Sequence, residues 1–299
     1  MSSRPEVPLF EDPAFDPARD LAGVAPDLRG FVRDMQETGG AVLDLGAEAG
    51  ALCDRAAADA ERLMRGASRV QDAWRRSRAI RRLALDPTIR RALAAAYGRR
   101  PFAFQTLNFQ QGSEQPLHSD VIHFSSLPAR FMCGVWIALE DVQPGAGPLV
   151  YYPGSHRLPL LTMREVGVNS DAPGPEDYER VFVPRFATVI AGSGLKPSEL
   201  FIRKGQAFVW AANLAHGGTP ITTPGSTRKS LVAHYYFEDC LYFTPMTSDV
   251  EAGRLSVRLP PDVRTRGWRW PRIAGRRAPV RPRAVLTALR EMTREPFVS

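Results

Sequence analysis

Beyond Pro101 the sequence is organised as short apolar runs at regular intervals, separated by clusters of turn-forming residues. The turns carry glycine and proline, as in residues 144–148, 217–218 and 224–225. Many short strands joined by such turns are typical of an antiparallel sandwich or closed barrel, and not of alternating βαβ units. The runs predicted to be strands are Phe102–Phe109, Phe131–Leu139, Leu149–Tyr152, Leu200–Ile202, Ala207–Trp210 and Leu231–Phe237.

Upstream of these runs the sequence has a helical character, because residues 47–98 are rich in alanine and poor in glycine. Asp86-Pro87 and Gly98 predict the limits of one helix, since aspartate caps a helix, proline suits its first position and glycine ends it. Residues 1–27 are predicted to be an irregular arm. Helices packed on an antiparallel β core predict the α+β fold class.

The net charge of +7 comes almost entirely from arginine. Twelve arginines lie between Arg254 and Arg294, against only two acidic residues, Asp262 and Glu291. Such a stretch could contact nucleic acid, anionic lipid or an anionic substrate, or it could be a solvated peripheral segment. Nucleic acid is disfavoured, because two tryptophans in this stretch do not make a stacking platform.

The location of the protein is predicted from what the sequence lacks. No run of about 18 apolar residues occurs, so no transmembrane span is expected. The first residues do not show the basic and then apolar pattern of a signal peptide. Cys53, Cys133 and Cys240 form neither a CxxC pair nor an even framework of disulfides. These features predict a cytoplasmic protein with reduced thiols.

The tripeptide His118-Ser119-Asp120 is a candidate for part of a metal site. In an extended backbone, residues two apart point to the same face, so one imidazole and one carboxylate would converge. His216, which follows a predicted strand, could supply the third ligand. Two histidines and one carboxylate suit iron with open coordination positions, and zinc would accept the same set. The tripeptide is common, however, and by itself is more typical of a hydrogen-bonded surface pair.

Arg228 and Ser230 add a second element to this candidate site. An arginine on a strand near a metal can hold a carboxylate with both ends of its planar fork. Ser230 is two residues further on, so its hydroxyl can face the same carboxylate. A metal with open positions beside a carboxylate clamp is the arrangement that a 2-oxoglutarate pocket requires.

Over roughly residues 100–240 the chain resembles the phytanoyl-CoA dioxygenase family of Fe(II)- and 2-oxoglutarate-dependent oxygenases. The matching stretches, in family order, are residues 105–112, 117–120, 134–142, 147–156, 216–218 and 228–235. The resemblance implies a double-stranded β-helix, which is a jelly-roll barrel with helices packed outside it. From this resemblance, together with the helical and basic stretches on either side of these matches, we expect a single oxygenase domain over residues 1–299, with a mainly helical part (1–100), a jelly-roll core (101–240) and an Arg-rich C-terminal extension (241–299).

The resemblance also assigns roles to individual residues. It implies that His118, Asp120 and His216 bind iron, and that Arg228 pairs with the distal carboxylate of 2-oxoglutarate. The other residues expected near the co-substrate are Ser230, Trp136, Asn108 and Gln105. Trp136 could equally be a core residue, and Asn108 and Gln105 could be cross-strand hydrogen-bonding residues.

Two positions depart from the family pattern, and one agreement is informative. Gly218 stands where the family archetype has a hydroxyl residue, and no lysine precedes Lys196 to serve the co-substrate. Both departures concern secondary co-substrate contacts, not the iron ligands. Halogenating relatives replace the carboxylate ligand by a small residue, so the presence of Asp120 favours hydroxylation or a related oxidation.

The function that these expectations describe is hydroxylation of an unactivated C–H bond, with dioxygen as oxidant and release of succinate and CO2. The expected substrate is a small molecule or is linked to a carrier, with a preference for anions if the basic extension takes part. One alternative is a metal-dependent jelly-roll isomerase or hydrolase that does not use 2-oxoglutarate. The other is a non-catalytic binding barrel.

The remaining histidines and the segment Leu158–Gly194 receive weaker expectations. His156 is expected to shape the barrel wall, while His234 could face either the pocket or the core. His123 would face away if the strand continued, and would reach the substrate if the chain turns there. Leu158–Gly194 has mixed periodicity, which is typical of an insertion that acts as a lid. The apolar residues Val285, Leu286, Leu289 and Met292 predict a short amphipathic helix near the end.

Overall fold

The computed structural model describes residues 5–168, 173–293 and 296–298. In these ranges the helices are α1 (Pro17–Asp20), α2 (Arg29–Thr38), α3 (Ala49–Met64), α4 (Arg78–Leu83), α5 (Pro87–Tyr97), α6 (Pro175–Asp177), α7 (Val183–Gly192) and α8 (Pro282–Thr293). The strands are β1 (Gly40–Asp44), β2 (Arg69–Gln71), β3 (Pro101–Phe109), β4 (Ser125–Leu127), β5 (Met132–Ala138), β6 (Leu149–Tyr151), β7 (Ser198–Glu199), β8 (Gln206–Ala211), β9 (His216–Gly218), β10 (Ser230–Phe237), β11 (Leu241–Phe243), β12 (Arg272–Ile273), β13 (Arg276–Arg277) and β14 (Phe297–Val298).

Two antiparallel sheets form the barrel. The larger has the order β1-β8-β5-β10-β3-β2-β14, and the smaller has the order β7-β6-β9. Side chains from both sheets meet in one interior cluster, in which the rings of Tyr151 and Phe208 lie 4.8 Å apart. Strands β1 and β2 come from the part of the chain expected to be mainly helical, so that part also completes the larger sheet.

The outer face of the larger sheet is covered by the N-terminal helices. Along β10, Leu231, Ala233 and Tyr235 point to the helices and belong to the main hydrophobic cluster, which α2, α3, α4 and α5 share. Val232 lies between them in sequence and belongs to the interior cluster instead. This alternation is what a strand buried on both faces requires. The arrangement confirms the predicted α+β class and the jelly-roll core with helices outside it.

Helix α5 has the limits that the sequence predicts. The Asp86 carboxylate accepts hydrogen bonds from the backbone N–H groups of Thr88 and Ile89, at 2.8 and 3.2 Å. Pro87 occupies the first turn, and Gly98 ends the helix with a φ of +65°. The left-handed backbone conformation costs little free energy at glycine, because glycine has no Cβ.

The two ends of the chain pack against the barrel. Phe10, in the segment expected to be an irregular arm, is 2% exposed and belongs to the main cluster. Val263 is fully buried in the same cluster, and its backbone N–H donates to the carbonyl of Ala103 at 3.0 Å. The expected C-terminal helix is α8, although the side chain of Met292 and all of Arg294 lie outside the described residues.

None of the helices in the described ranges combines the length and apolar character that crossing a bilayer requires.

Candidate metal centre

His118 and His216 are brought together by the backbone. They form an isolated antiparallel bridge, in which each backbone N–H donates to the carbonyl of the other at 2.9 Å. Ser119 has extended dihedrals, φ −126° and ψ 147°, so His118 and Asp120 project to the same face, as the sequence predicts. One ligand atom from each of His118, Asp120 and His216 lies within 4.8 Å of the others.

The two imidazoles are oriented by carbonyls close in sequence. Nδ1 of His118 lies 2.7 Å from the carbonyl oxygen of Pro116, and Nδ1 of His216 lies 2.9 Å from that of Leu214. A ring that donates its Nδ1–H to a carbonyl keeps a lone pair on Nε2, which is the form that binds a metal. Both rings are therefore set to coordinate through Nε2.

The charge state of the cluster also suits a metal. Burial raises the pKa of Asp120. A larger and opposite effect comes from its neighbours, because the pKa is lowered by the imidazoles of His234, His216 and His118 and by the hydrogen bond from the indole of Trp210. The resulting pKa lies below the usual range, so the carboxylate is ionised at neutral pH. Burial lowers the pKa of His216 to about 4, and that ring is neutral. An ionised carboxylate, as at Asp120, and a neutral imidazole, as at His216, are the ligand forms that a divalent cation binds.

Arg228 is a buried cation that has no counter-ion among the described residues. It is 3% exposed, and its Nη1 donates to the carbonyl of Gly147 at 2.6 Å. Among the described residues its buried Nε has no hydrogen-bond partner, and no carboxylate forms a salt bridge with it. Burial lowers the pKa of Arg228 to about 10, so the side chain is still charged at neutral pH. A buried charge is normally paired, so this site fits an anionic ligand.

A single cavity of about 600 Å³ contains both features. Its walls include the three candidate metal ligands, Arg228 and the ring of Trp136, which lies 5.5 Å from the Arg228 guanidinium carbon. Cavities of this size hold a small ligand or cofactor. The residues present therefore fit both a metal ion and an organic anion in the same space.

Comparison with known proteins identifies the family. The family model described as phytanoyl-CoA dioxygenase (PhyH) matches residues 35–230, more than half of the chain. The chain belongs to the phytanoyl-CoA dioxygenase family. A probable phytanoyl-CoA dioxygenase from Caenorhabditis elegans is 31% identical over 135 residues, which are 44% of this chain and 39% of that protein. The peroxisomal phytanoyl-CoA dioxygenase of Rattus norvegicus is 31% identical over 136 residues, 44% of this chain and 36% of that protein.

The matches thus span less than two fifths of these relatives' own length. Among solved structures, the epimerase SnoN, crystallised with Fe3+, alpha ketoglutarate and nogalamycin RO, aligns with a TM-score of 0.55 and 22% identity. The alignment covers 76% of this chain and 87% of SnoN. At that identity the similarity concerns the fold, and it confirms the double-stranded β-helix.

Of the residues expected near the co-substrate, Trp136 and Ser230 lie on the side of the larger sheet that faces the cavity. Trp136 lines the cavity. Ser230 is on the same face of β10 as Val232, is fully buried, and its hydroxyl has no hydrogen-bond partner in the described part of the chain. Gln105 also lines the cavity, but its Oε1 accepts a hydrogen bond from Nδ1 of His234 at 2.9 Å.

The expectation for Asn108 is corrected by the structure. Its backbone pairs with Val70 and Leu231, and both of these residues belong to the main hydrophobic cluster between the larger sheet and the helices. Gln105 and Leu107 line the cavity, and because Asn108 is an odd number of residues from Gln105, alternation turns it to the opposite face. Its amide donates to the Ser230 carbonyl at 3.4 Å, which is a cross-strand role.

Gly218, where the family archetype has a hydroxyl residue, is explained by close backbone packing. A Cβ at this position would lie 2.8 Å from the backbone nitrogen of Glu114. The neighbouring Gly217 is similarly confined, since its Cβ would lie 3.0 Å from the carbonyl oxygen of Gln115. The segment before His118 therefore crosses β9 too closely to admit a side chain, so the glycines help to hold His118 beside His216.

The remaining three histidines differ in their position relative to the cavity. His123 lines the cavity, because a 3-10 turn at Asp120–Ile122 redirects the chain there. His234 faces the cavity with Nε2 3.6 Å from Oδ2 of Asp120. His156 lies outside the cavity lining, as expected of a wall residue.

Trp210 and Tyr178 also line the cavity, and no sequence signal marks either of them as a site residue. Trp210 stands in an apolar strand, a pattern that indicates a core residue. Tyr178 lies in the segment of mixed periodicity.

Proposed function

We propose that the chain is an Fe(II)- and 2-oxoglutarate-dependent dioxygenase that hydroxylates an unactivated C–H bond. The observation that carries the proposal is the pairing of two features in one cavity. Three ligand atoms converge within 4.8 Å, and the buried Arg228 guanidinium lacks a counter-ion among the described residues. A metal alone would not require the arginine. A co-substrate with a carboxylate at each end accounts for both.

In this proposal His118, Asp120 and His216 bind Fe(II). Arg228 pairs with the distal carboxylate of 2-oxoglutarate through a charge-assisted hydrogen bond from Nε, and the Ser230 hydroxyl donates to the same carboxylate. When bound, iron and 2-oxoglutarate supply the oxidising power for oxygenation by dioxygen, with succinate and CO2 as by-products. Trp136 covers one side of the co-substrate site.

The substrate is proposed to be a small molecule or a carrier-linked compound. The rat relative is named for phytanoyl-CoA, and SnoN is an epimerase crystallised with nogalamycin RO, so relatives of this fold differ in substrate and in outcome. Asp120 as a carboxylate ligand supports oxygenation over halogenation. We propose one functional unit over residues 1–299 and a cytoplasmic location, supported by three buried cysteines without disulfides.

An anaerobic titration with Fe(II) and 2-oxoglutarate tests the proposal. We expect a visible metal-to-ligand charge-transfer band that saturates with the co-substrate, and no band in His216→Ala. Arg228→Lys keeps the charge but loses the planar fork, so we expect about 10- to 100-fold weaker 2-oxoglutarate binding, equivalent to about 1.5–3 kcal/mol. The matched control is His156→Leu, which removes a buried histidine outside the cavity lining and should leave the band intact.

Absence of the band in the wild type, or its persistence in His216→Ala, would contradict the proposal. A wild type that binds the metal but not 2-oxoglutarate would favour a jelly-roll isomerase or hydrolase. Succinate formation with a panel of small-molecule and carrier-linked substrates would then identify the compound that is oxidised.

A further inference from the structure

The Asp120 carboxylate is held by a side chain that the proposed iron site does not itself require. The indole Nε1–H of Trp210 donates to Oδ2 of Asp120 at 2.8 Å. Both residues are nearly fully buried, with 2% and 5% of their surfaces exposed. A hydrogen bond to a carboxylate in such a place is strong, and leaving it unmade is costly.

The register of the larger sheet explains how Trp210 reaches Asp120. Trp210 in β8 pairs with Gly134 in β5, and Gly134 pairs with His234 in β10. These three residues form one row across three neighbouring strands, with the glycine in the middle. A Cβ at Gly134 would lie 2.2 Å from Cε2 of the indole. The absence of a side chain at Gly134 therefore lets the indole lean across β5 toward the carboxylate.

The indole is also fixed from other sides. Its ring lies 4.7 Å from the ring of His216 and 6.2 Å from that of Phe208. A ring packed between neighbours cannot change rotamer without displacing them. Trp210 is thus a rigid donor that points at one oxygen of Asp120.

His234 approaches the same oxygen from the other side of the glycine. Its Nδ1 lies 2.9 Å from Oε1 of Gln105, and its Nε2 lies 3.6 Å from Oδ2 of Asp120. The Gln105 oxygen can only accept, so Nδ1 of His234 donates to it, and the ring lies beside the carboxylate without donating to it. The His234 ring is held between Phe104 and Phe124, at 6.0 and 5.2 Å.

We propose that Trp210 is a positioning residue that fixes the Asp120 carboxylate by donating to Oδ2, so that Oδ1 alone is presented to the metal. The inference rests on the proposed function. A carboxylate bound through one oxygen leaves coordination positions for the co-substrate and dioxygen, whereas one free to rotate could bind through both oxygens and fill a position. Partners of this kind typically change metal affinity by about 10- to 100-fold when they are removed.

The test compares two tryptophan variants. Trp210→Phe keeps a large ring and removes the N–H that Asp120 accepts. The control is Trp74→Phe, because Trp74 is also buried and its indole donates to Oδ1 of Asp72 at 3.0 Å, outside the cavity. We expect Trp210→Phe to weaken Mn(II) binding by about 10- to 100-fold and to alter the EPR spectrum of the bound Mn(II). Trp74→Phe should lower the melting temperature without changing either readout.

A second variant keeps the inference testable if Trp210→Phe does not fold. Gly134→Ala keeps the indole N–H but places a Cβ where the ring of Trp210 lies, so we expect the displaced indole to lose its hydrogen bond to Asp120 and Mn(II) binding to weaken. Wild-type Mn(II) affinity and an unchanged EPR spectrum in a folded Trp210→Phe, or in Gly134→Ala where only that variant folds, would overturn the inference and leave the proposed function standing. Failure of the wild type to bind Mn(II) would instead contradict the proposed function, and the inference would fall with it.

Discussion

Histidines of the same chain differ in chemistry because their ring nitrogens have different partners. His118 and His216 each place Nδ1 on a backbone carbonyl, which frees Nε2 for a metal. His156 is buried like His216, but neither of its ring nitrogens has a hydrogen-bond partner among the described residues. It packs against Gly39, where a Cβ would lie 2.4 Å from Nδ1. His156 is therefore a buried neutral ring, and its protonation at low pH would destabilise the fold.

The pH dependence of stability tests this view of His156. Burial lowers its pKa from 6.5 to about 4, so between these values the unfolded chain binds a proton that the folded protein does not. The contribution of the neutral His156 ring to the free energy of unfolding is therefore fully present above pH 6.5, and it is lost as the pH falls toward 4. We expect the wild type to lose about 2 kcal/mol more unfolding free energy than His156→Leu between pH 7 and pH 5. Urea denaturation with a chelator present measures this difference, and parallel curves would refute it.

At the level of secondary structure, the insertion Leu158–Gly194 forms part of the cavity wall. Residues 169–172 lie outside the described part, and α6 continues through a π-helical turn, Tyr178–Phe182, into α7. Phe182 and Ile190 are buried in a cluster with Ile122, while Tyr178 lines the cavity. π-helical turns are frequent at functional sites. The insertion thus contacts the space where ligands would bind, as a lid would.

Limited proteolysis tests whether this wall closes over bound ligands. Arg180 and Arg185 lie in the insertion beside the cavity residues, and both side chains are exposed. We expect Mn(II) and 2-oxoglutarate together to slow tryptic cleavage at these two positions several-fold, because ligands in the cavity would hold Tyr178 in place. Cleavage at Arg276 and Arg277, in the exposed β12–β13 hairpin, is the internal control. Equal rates with and without ligands would count against a lid.

For the whole molecule, the basic C-terminal extension is part of the folded unit. Arg81 in α4 donates to the carbonyls of Val263 and Arg264, at 2.9 and 2.6 Å. Strand β14 pairs with β2 at the edge of the larger sheet. The positive charge of the extension therefore belongs to a segment whose backbone the barrel needs. Deleting residues 254–299 would remove core contacts as well as charge, so it cannot isolate the role of the charge.

Two point substitutions separate these contributions. Val263→Ala removes buried methyl groups, so we expect it to lower the free energy of unfolding by about 2 kcal/mol. Ile273→Ala removes a side chain that is 51% exposed, and surface changes of this kind stay within about 0.5 kcal/mol. Chemical denaturation of both variants measures the difference. Equal stabilities would show that the extension does not support the core.

The sequence by itself determined the features that depend on local spacing. Strand periodicity and turn residues predicted the β core, Asp86 and Gly98 predicted the limits of α5, and the two-residue spacing of His118 and Asp120 predicted a shared face. Each of these predictions depends on backbone geometry that repeats every few residues, so it can be made from neighbouring positions in the sequence. The same alternation places Asn108 and Gln105 on opposite faces of β3. The prediction that both residues lie near the co-substrate was therefore wrong for Asn108.

Only the tertiary structure decided how residues distant in the chain meet. Trp210 donates to Asp120 from 90 positions away, and the row that allows it depends on which residues of three strands are in register. The burial of Arg228, which has no counter-ion in the part of the chain that the structure describes, likewise results from packing two sheets around one cavity. Register and burial arise from the balance of contacts over the whole fold, so no local pattern encodes them.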